Sequence, residues 1–439
     1  MRVLRVPGFA QLLGGQAVNA IGNWVAIIAI WGFAAFEFDA GAGDLALLFV
    51  VLSLPGAVLG PVLGVVIDRW GPRRSLVVAN LAGCLVALTL TQADSYAMVI
   101  ALAVPLGLVE GLASASLDAL PPRMVPDDQL VRANALLGGA EDQAIVVGPL
   151  VAAAVHAVWG LPGAFAADAV TFVIGAAVAA RLRVEPVAAP EVPTTARREL
   201  VDGFGLVRRT PGLRWTLVVV TITYLLWALA GILEPLYVRD VLARSDSEFA
   251  YFQAVFGVGL VGAGLVIAAV GDRLATARTV ALATIVSGGT AALYLGTDSV
   301  VVAYVGVFLW GVDVAFFYVP AKTLLQRYAP VSAHGRVLAL NQSLEPMASV
   351  IAAPVAAALV VWAGVQSLAV AAGAFVVVAG VVALLRARHL PPPAPVGPAD
   401  PTAGTARDSV ALGGPAPLTS VPAPGRAPAP RPEAPADQG

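Results

Sequence analysis

Six carboxylates stand inside long apolar stretches of this 439-residue chain: Glu110, Glu141, Asp142, Asp168, Asp313 and Glu345. A charge at the centre of a bilayer costs about 2.5 to 3.5 kcal/mol on insertion scales, so each acid needs an interior partner or water. In a low-dielectric cavity desolvation favours the neutral form of a carboxyl group, so such acids can carry protons as well as face cations. Gln16, Asn19 and Asn23, spaced 3 and 4 apart, share one helical face, which is expected to line a cavity rather than meet lipid. Other chemistries find little support. His156, His334 and His389 are scattered, the single cysteine, Cys84, lies in an apolar run, and no glycine-rich phosphate loop with a lysine occurs. The expectation is a non-enzyme with no cofactor, no metal and no nucleic-acid partner.

The elements that must position these acids are membrane helices. Hydrophobic residues make up 59% and charged residues only 12% of the chain, against about 25% charged in soluble domains. A bilayer core takes about 20 apolar helical residues to cross. Twelve such runs are predicted: 10–36, 45–67, 74–93, 97–119, 130–158, 161–181, 214–237, 249–270, 277–296, 299–323, 335–361 and 365–385. The alternating ten-residue segments of a membrane barrel are absent from the sequence, so the fold class is all-α. "MRVLRVPGFA" reads as the start of a retained first span, not a cleaved signal.

The predicted organisation is a six-helix bundle at 1–182, a cytoplasmic linker at 183–212 with a short surface helix in 195–209, a second bundle at 213–388, and a tail at 389–439. The tail holds 14 of the 33 prolines and lacks the apolar mass to fold, so disorder is expected there. Of 26 Lys and Arg residues, 24 lie at the N-terminus, in even-numbered loops, at their helix ends or in the tail; Arg239 and Arg244 are the exceptions. Both termini are therefore expected in the cytoplasm, with the chain in the plasma (cell inner) membrane.

A constant offset of 204 aligns Asp68 with Asp272, Arg69 with Arg273, Arg74 with Arg278, Arg123 with Arg327, Arg132 with Arg336, Glu141 with Glu345, Gly107 with Gly311 and Gly160 with Gly364. The chain thus reads as a duplicated six-helix unit in parallel topology, a transporter plan with substrate near the midplane between repeats. Repetition of Glu141 and Glu345 favours a shared role in packing or gating over substrate contact. Asp142 is unrepeated and more individual. Asp168 is expected to make a structural bond, and Glu234, Lys322 and His156 to be interfacial.

"GVVIDRWGPRR" resembles the loop motif G-x-x-x-D-R-x-G-R-R of the major facilitator superfamily, with Gly64, Asp68, Arg69, Gly71, Arg73 and Arg74 in place and Pro72 at one usually basic position. "AAVGDRLATAR", containing Asp272 and Arg273, is its weaker echo. "GGAEDQAIVVGPLVAA" is similar to the family's exporter-associated motif, its Gly-Pro pair being Gly148 and Pro149. With "RANALLGGAEDQAIVVGP" and "GAFAADAVTF", it resembles the branch of enterobactin-type exporters and macrolide efflux proteins.

The resemblance implies alternating access, a central cavity lined by the fourth and tenth spans, and hence cavity roles for Glu110 and Asp313. It also implies that the "DRWGPRR" loop helps to close the cytoplasmic side, Asp68 meeting the start of the eleventh span near His334, and the arginines meeting Asp118 or anionic lipid. Asn23 replaces the Asp of many drug exporters, and Gly107 and Glu110 stand where an Arg and a Gln occur in the antiporter motif. The expected partners are a small-molecule substrate, protons and membrane lipid. The leading function is proton-coupled efflux of a drug, siderophore or secondary metabolite; import by ion symport and a non-transporting receptor or scaffold are the alternatives.

Overall fold

A computed structural model describes residues 3–184, 205–330 and 333–392, and every regular element among them is helical. In chain order these are α1 (Phe9–Gly32), α2 (Ala42–Trp70), α3 (Pro72–Leu90), α4 (Tyr96–Asp118), α5 (Asp127–Arg181), α6 (Pro211–Leu236), α7 (Asp246–Val270), α8 (Ala277–Leu295), α9 (Val300–Tyr328), α10 (His334–Ala363) and α11 (Val365–Ala387). The helices begin and end where the chain changes character. Pro72 and Pro211 open α3 and α6, where a missing N–H costs nothing, and Gly71 joins α2 to α3 at φ 79°.

Ten helices among the described residues are long and apolar enough to cross a membrane. Two features separate this from the twelve expected spans. The fifth and sixth spans are one element, α5, bent at Gly160, where φ is 68° and ψ −171°. The other is α2, 29 residues long from Ala42 to Trp70, whose apolar stretch is described over Ala42–Pro55. Of the expected linker helix, residues 205–209 are helical and 195–204 lie outside the described residues. The tail from 393 onward also lies outside them.

The helices form two groups. In the first, α1 runs along α5, α3 packs on α4 and α5, and α2 packs on α4. In the second, α6 packs on α10 and α11, α8 on α9 and α11, and α7 on α9. Two lines of contact join the groups: α5 with α7, and α2 with α10. Large apolar side chains face outward, among them Leu85, Val301, Phe375 and Leu265, as lipid contact requires. Trp159 and Trp362, 65% and 90% exposed, stand at the α5 bend and the end of α10, where amphipathic rings anchor a helix at a membrane surface.

The backbone repeats its irregularities at the offset of 204. Five-residue π-helical turns occupy Phe33–Glu37 and Tyr237–Val241. Among the described residues the two non-glycine residues with positive φ are Asp39 and Ala243, at 53° and 51°. Gly160 and Gly364, at 68° and 75°, make the sharp breaks before the second limb of α5 and before α11, a conformation that costs glycine little. Gly107 and Gly311 likewise serve equivalent crossings. A Cβ on Gly107 would collide with the carbonyl oxygen of Leu52, and one on Gly311 with that of Phe256, again 204 apart.

Candidate functional site

The polar centre of the molecule lies where the two groups of helices meet. Asp142, on α5, faces α9: Lys322 Nζ is 2.6 Å from its Oδ2, and the Tyr318 hydroxyl donates to its Oδ1 at 3.2 Å. Tyr318 and Lys322 are four apart on α9, so they present one face, with the ammonium 5.9 Å from the Tyr318 ring centroid. Beside them Gln16 of α1 donates from Nε2 to Glu141 Oε1 at 3.2 Å. Asp118, Asp142 and Lys322 lie within electrostatic reach of Glu141. Glu345 of α10 lies within electrostatic reach of Tyr224 and Tyr318. The junction therefore gathers Glu141 and Asp142 around the ammonium of Lys322, with Glu345 beside Tyr318. An excess of acid over base suits a cationic guest.

Other acids sit within one group. Asp168, 1% exposed in the second limb of α5, accepts from Thr171 Oγ1 at 3.3 Å, with Glu110 of α4 in electrostatic reach. Gln16 and Asn19 line a crevice with Asn80, Leu117 and Gly175 inside the first group. The Oδ1 atoms of Asn19 and Asn23 are buried without a partner among the described residues. Asp313, 3% exposed on α9, accepts a hydrogen bond from Ser287 of α8, and its Oδ1 is buried without a described partner. Glu110 and Asp313 are thus placed in the interiors of their own groups. Glu234, expected to be interfacial, accepts at Oε1 from Tyr294 (2.9 Å) and Gln253 (3.2 Å), since the last turn of α6 faces α7 and α8.

One end of the molecule is clasped. From the π-helical turn after α6, Arg239 Nη1 donates to the Ala35 and Ala40 carbonyls at 2.7 and 2.9 Å and lies 3.1 Å from Asp39 Oδ1. Its Nε is 2.6 Å from Asp240. Nearby His156 Nε2 on α5 is 3.4 Å from Asp246 Oδ2 on α7. These contacts cross between the groups on the side of the odd-numbered loops. At the opposite end Asp68 and Arg69 are exposed at the terminus of α2, and Arg74 is exposed in the first turn of α3. Arg73 donates to the Ala180 carbonyl, tying α3 to the end of α5. Gly64 lies in the last turns of α2 and Arg273 is exposed after α7; the side chains of Asp272 and His334 lie outside the description. Gly148 lets α5 approach α1, since a Cβ there would collide with Trp24 Cβ, and Pro149 follows it inside the helix.

Sequence reasoning did not single out Tyr318, expected Lys322 to be interfacial and noted Arg239 only as an exception to the charge sorting. Lys322 had one available signal, being the only lysine beside 25 arginines. Its partner lies 180 positions away, which no local spacing indicates.

The sequence pattern of the Major Facilitator Superfamily matches residues 12–312 and 216–429, and the chain belongs to that superfamily of transporters. Macrolide efflux protein A of Streptococcus pyogenes is 25% identical over 271 residues, covering 60% of this chain and 67% of that protein. The MFS-type transporter YfiS of Bacillus subtilis (strain 168) is 21% identical over 389 residues, covering 86% and 93%. In fold the chain is similar to the peptide transporter POT in complex with sulfate, with TM-score 0.65, 15% identity and coverage of 88% and 95%. It is also similar to a bacterial homolog of the human lysosomal transporter Spinster in an inward-facing, unoccupied conformation, with TM-score 0.64, 14% identity and coverage of 87% and 97%.

Proposed function

We propose that this chain is a twelve-helix secondary transporter, built from two six-helix repeats, that exports a small organic cation across the plasma membrane in exchange for protons. The recurrence of π turns, positive-φ residues and helix crossings at an offset of 204 supports the two repeats. The observation that carries the transport reading is the acid-rich junction of Glu141, Asp142 and Glu345 between the groups, where alternating access needs a site. Similarity to macrolide efflux protein A supports the outward direction. Arginine enrichment at the even loops supports cytoplasmic termini.

In this reading substrate binds at the junction, while Glu110 and Asp313 in the interiors of the two groups take up and release protons. The clasp at Arg239 closes the outer side, and the Asp68–Arg74 segment closes the inner side in the alternate state. Inverted vesicles containing the purified protein test the reading. With an imposed proton gradient they should accumulate an organic cation extracted by comparing the metabolites of cells with and without the protein. Accumulation only in right-side-out vesicles would establish import, and no movement of any compound in either orientation would establish a non-transporting role.

A further inference from the structure

The contact between Asp142 and Lys322 has the composition of a site for an organic ammonium. A carboxylate oxygen lies 2.6 Å from the cationic nitrogen, a tyrosine hydroxyl holds the second oxygen, and an aromatic ring stands 5.9 Å from the charge. Carboxylate and aromatic face are the two groups that recognise substituted ammonium ions. Here the occupant is tethered to the protein. The two side chains are 25% and 35% exposed, so neither is sealed in and another cation can reach the carboxylate.

We infer that Lys322 is a built-in surrogate for the substrate's cationic group, occupying the Asp142 subsite while the transporter is empty and leaving when an organic ammonium binds. This deepens the export reading and rests on it for the identity of the site. Three features fit the role. The pair links α5 of one group to α9 of the other, so the empty protein keeps Asp142 paired instead of uncompensated. Glu141 lies within electrostatic reach of the same ammonium, so a displaced Lys322 finds a second carboxylate. Finally, lysine is used here in a chain whose other 25 basic side chains are all arginine. An arginine fork would grip a carboxylate through two parallel bonds, whereas the lysine ammonium is a compact charge on a flexible stem that can be displaced. Lys322 then sets specificity by competition: a neutral or anionic guest cannot expel it.

The test measures equilibrium binding of tetraphenylphosphonium, a lipophilic organic cation, to the full-length protein in lipid nanodiscs. If Lys322 fills the subsite about nine-tenths of the time, Lys322→Gln tightens binding about tenfold. Lys322→Arg should weaken it, and Asp142→Asn should abolish it. A structural role for the ion pair would shift both lysine variants in the same direction. Unchanged or weaker binding by Lys322→Gln, tighter or unchanged binding by Lys322→Arg, or no binding by any form overturns the inference. Should Lys322→Gln fail to fold, the comparison of Lys322→Arg with the parent protein decides. Transport by the same preparations separates the two proposals. A protein that moves a compound but fails the binding order loses only the surrogate; one that binds in the expected order but moves nothing loses only the export reading.

Discussion

Asp313 and Glu110 illustrate how position within one group of helices defines a carboxylate's task. Asp313 has one oxygen satisfied by Ser287 and the other buried without a described partner, while Glu110 shares the interior of the first group with Asp168. Among the described residues neither has a cation as partner, unlike Asp142, which is why the export reading gives them the protons. Glu110→Gln and Asp313→Asn should insert and fold normally yet lose transport driven by a pH gradient, measured as initial rates in vesicles. Normal rates and pH dependence in both would assign coupling elsewhere. The six mid-span acids were evident in the sequence because charges in apolar runs are costly. Their division into junction acids and interior acids was not, since it depends on which face of each helix meets another helix.

At the scale of elements, the glycine crossings carry both stability and symmetry. Gly107 allows α4 to touch α2 at Leu52, and Gly311 allows α9 to touch α7 at Phe256. In each case backbone stands where a Cβ would go, so the helices must separate. Gly107→Ala and Gly311→Ala should each cost about 1 to 3 kcal/mol, the usual penalty of overpacking. A lower thermal midpoint in detergent would register it, and an unchanged midpoint would argue against a close crossing. The end of α2 supports a conformational prediction. Asp68, exposed in this state, can meet the positive N-terminal end of α10 when the inner side closes, an interaction worth about 0.3 to 1 kcal/mol, up to about 2 when partly buried. Asp68→Asn should preserve topology while lowering the inner-closed population by up to about tenfold for a loss of 1.4 kcal/mol. Distance reporters across the inner mouth measure this, and an unchanged distribution would leave the segment a topological role alone.

The whole molecule is held closed at one end by Arg239. Two backbone carbonyls and Asp39 receive its guanidinium, and hydrogen bonds to charged groups contribute about 1.5 to 3 kcal/mol. Arg239→Gln should therefore raise the population open on the odd-loop side by about tenfold, visible as longer distances between reporters on the loops before α2 and α7. No change would mean that apolar contacts such as Phe36 with Phe249 suffice to hold that end. The tail is a separate matter. Its proline-rich composition supplies no apolar face to pack, so truncation after Arg388 should leave a folded, active transporter. Complete loss of transport by a stably inserted truncation would show that the tail takes part.

Taken alone, the sequence determined that this protein is helical and membrane-spanning, and it showed residues recurring at a register of 204, because apolar run length and residue spacing are properties of the chain read along one dimension. It also located the acids. Tertiary structure alone decided that Lys322 sits against Asp142, that Arg239 reaches the loop after α1, and that Asp313 turns to Ser287. Each of these partnerships depends on the rotation and crossing of helices, which periodic apolar runs leave open when every face of a helix is hydrophobic. Lipid and helix neighbours select much the same side chains, so the facing partner is defined only once the helices are packed.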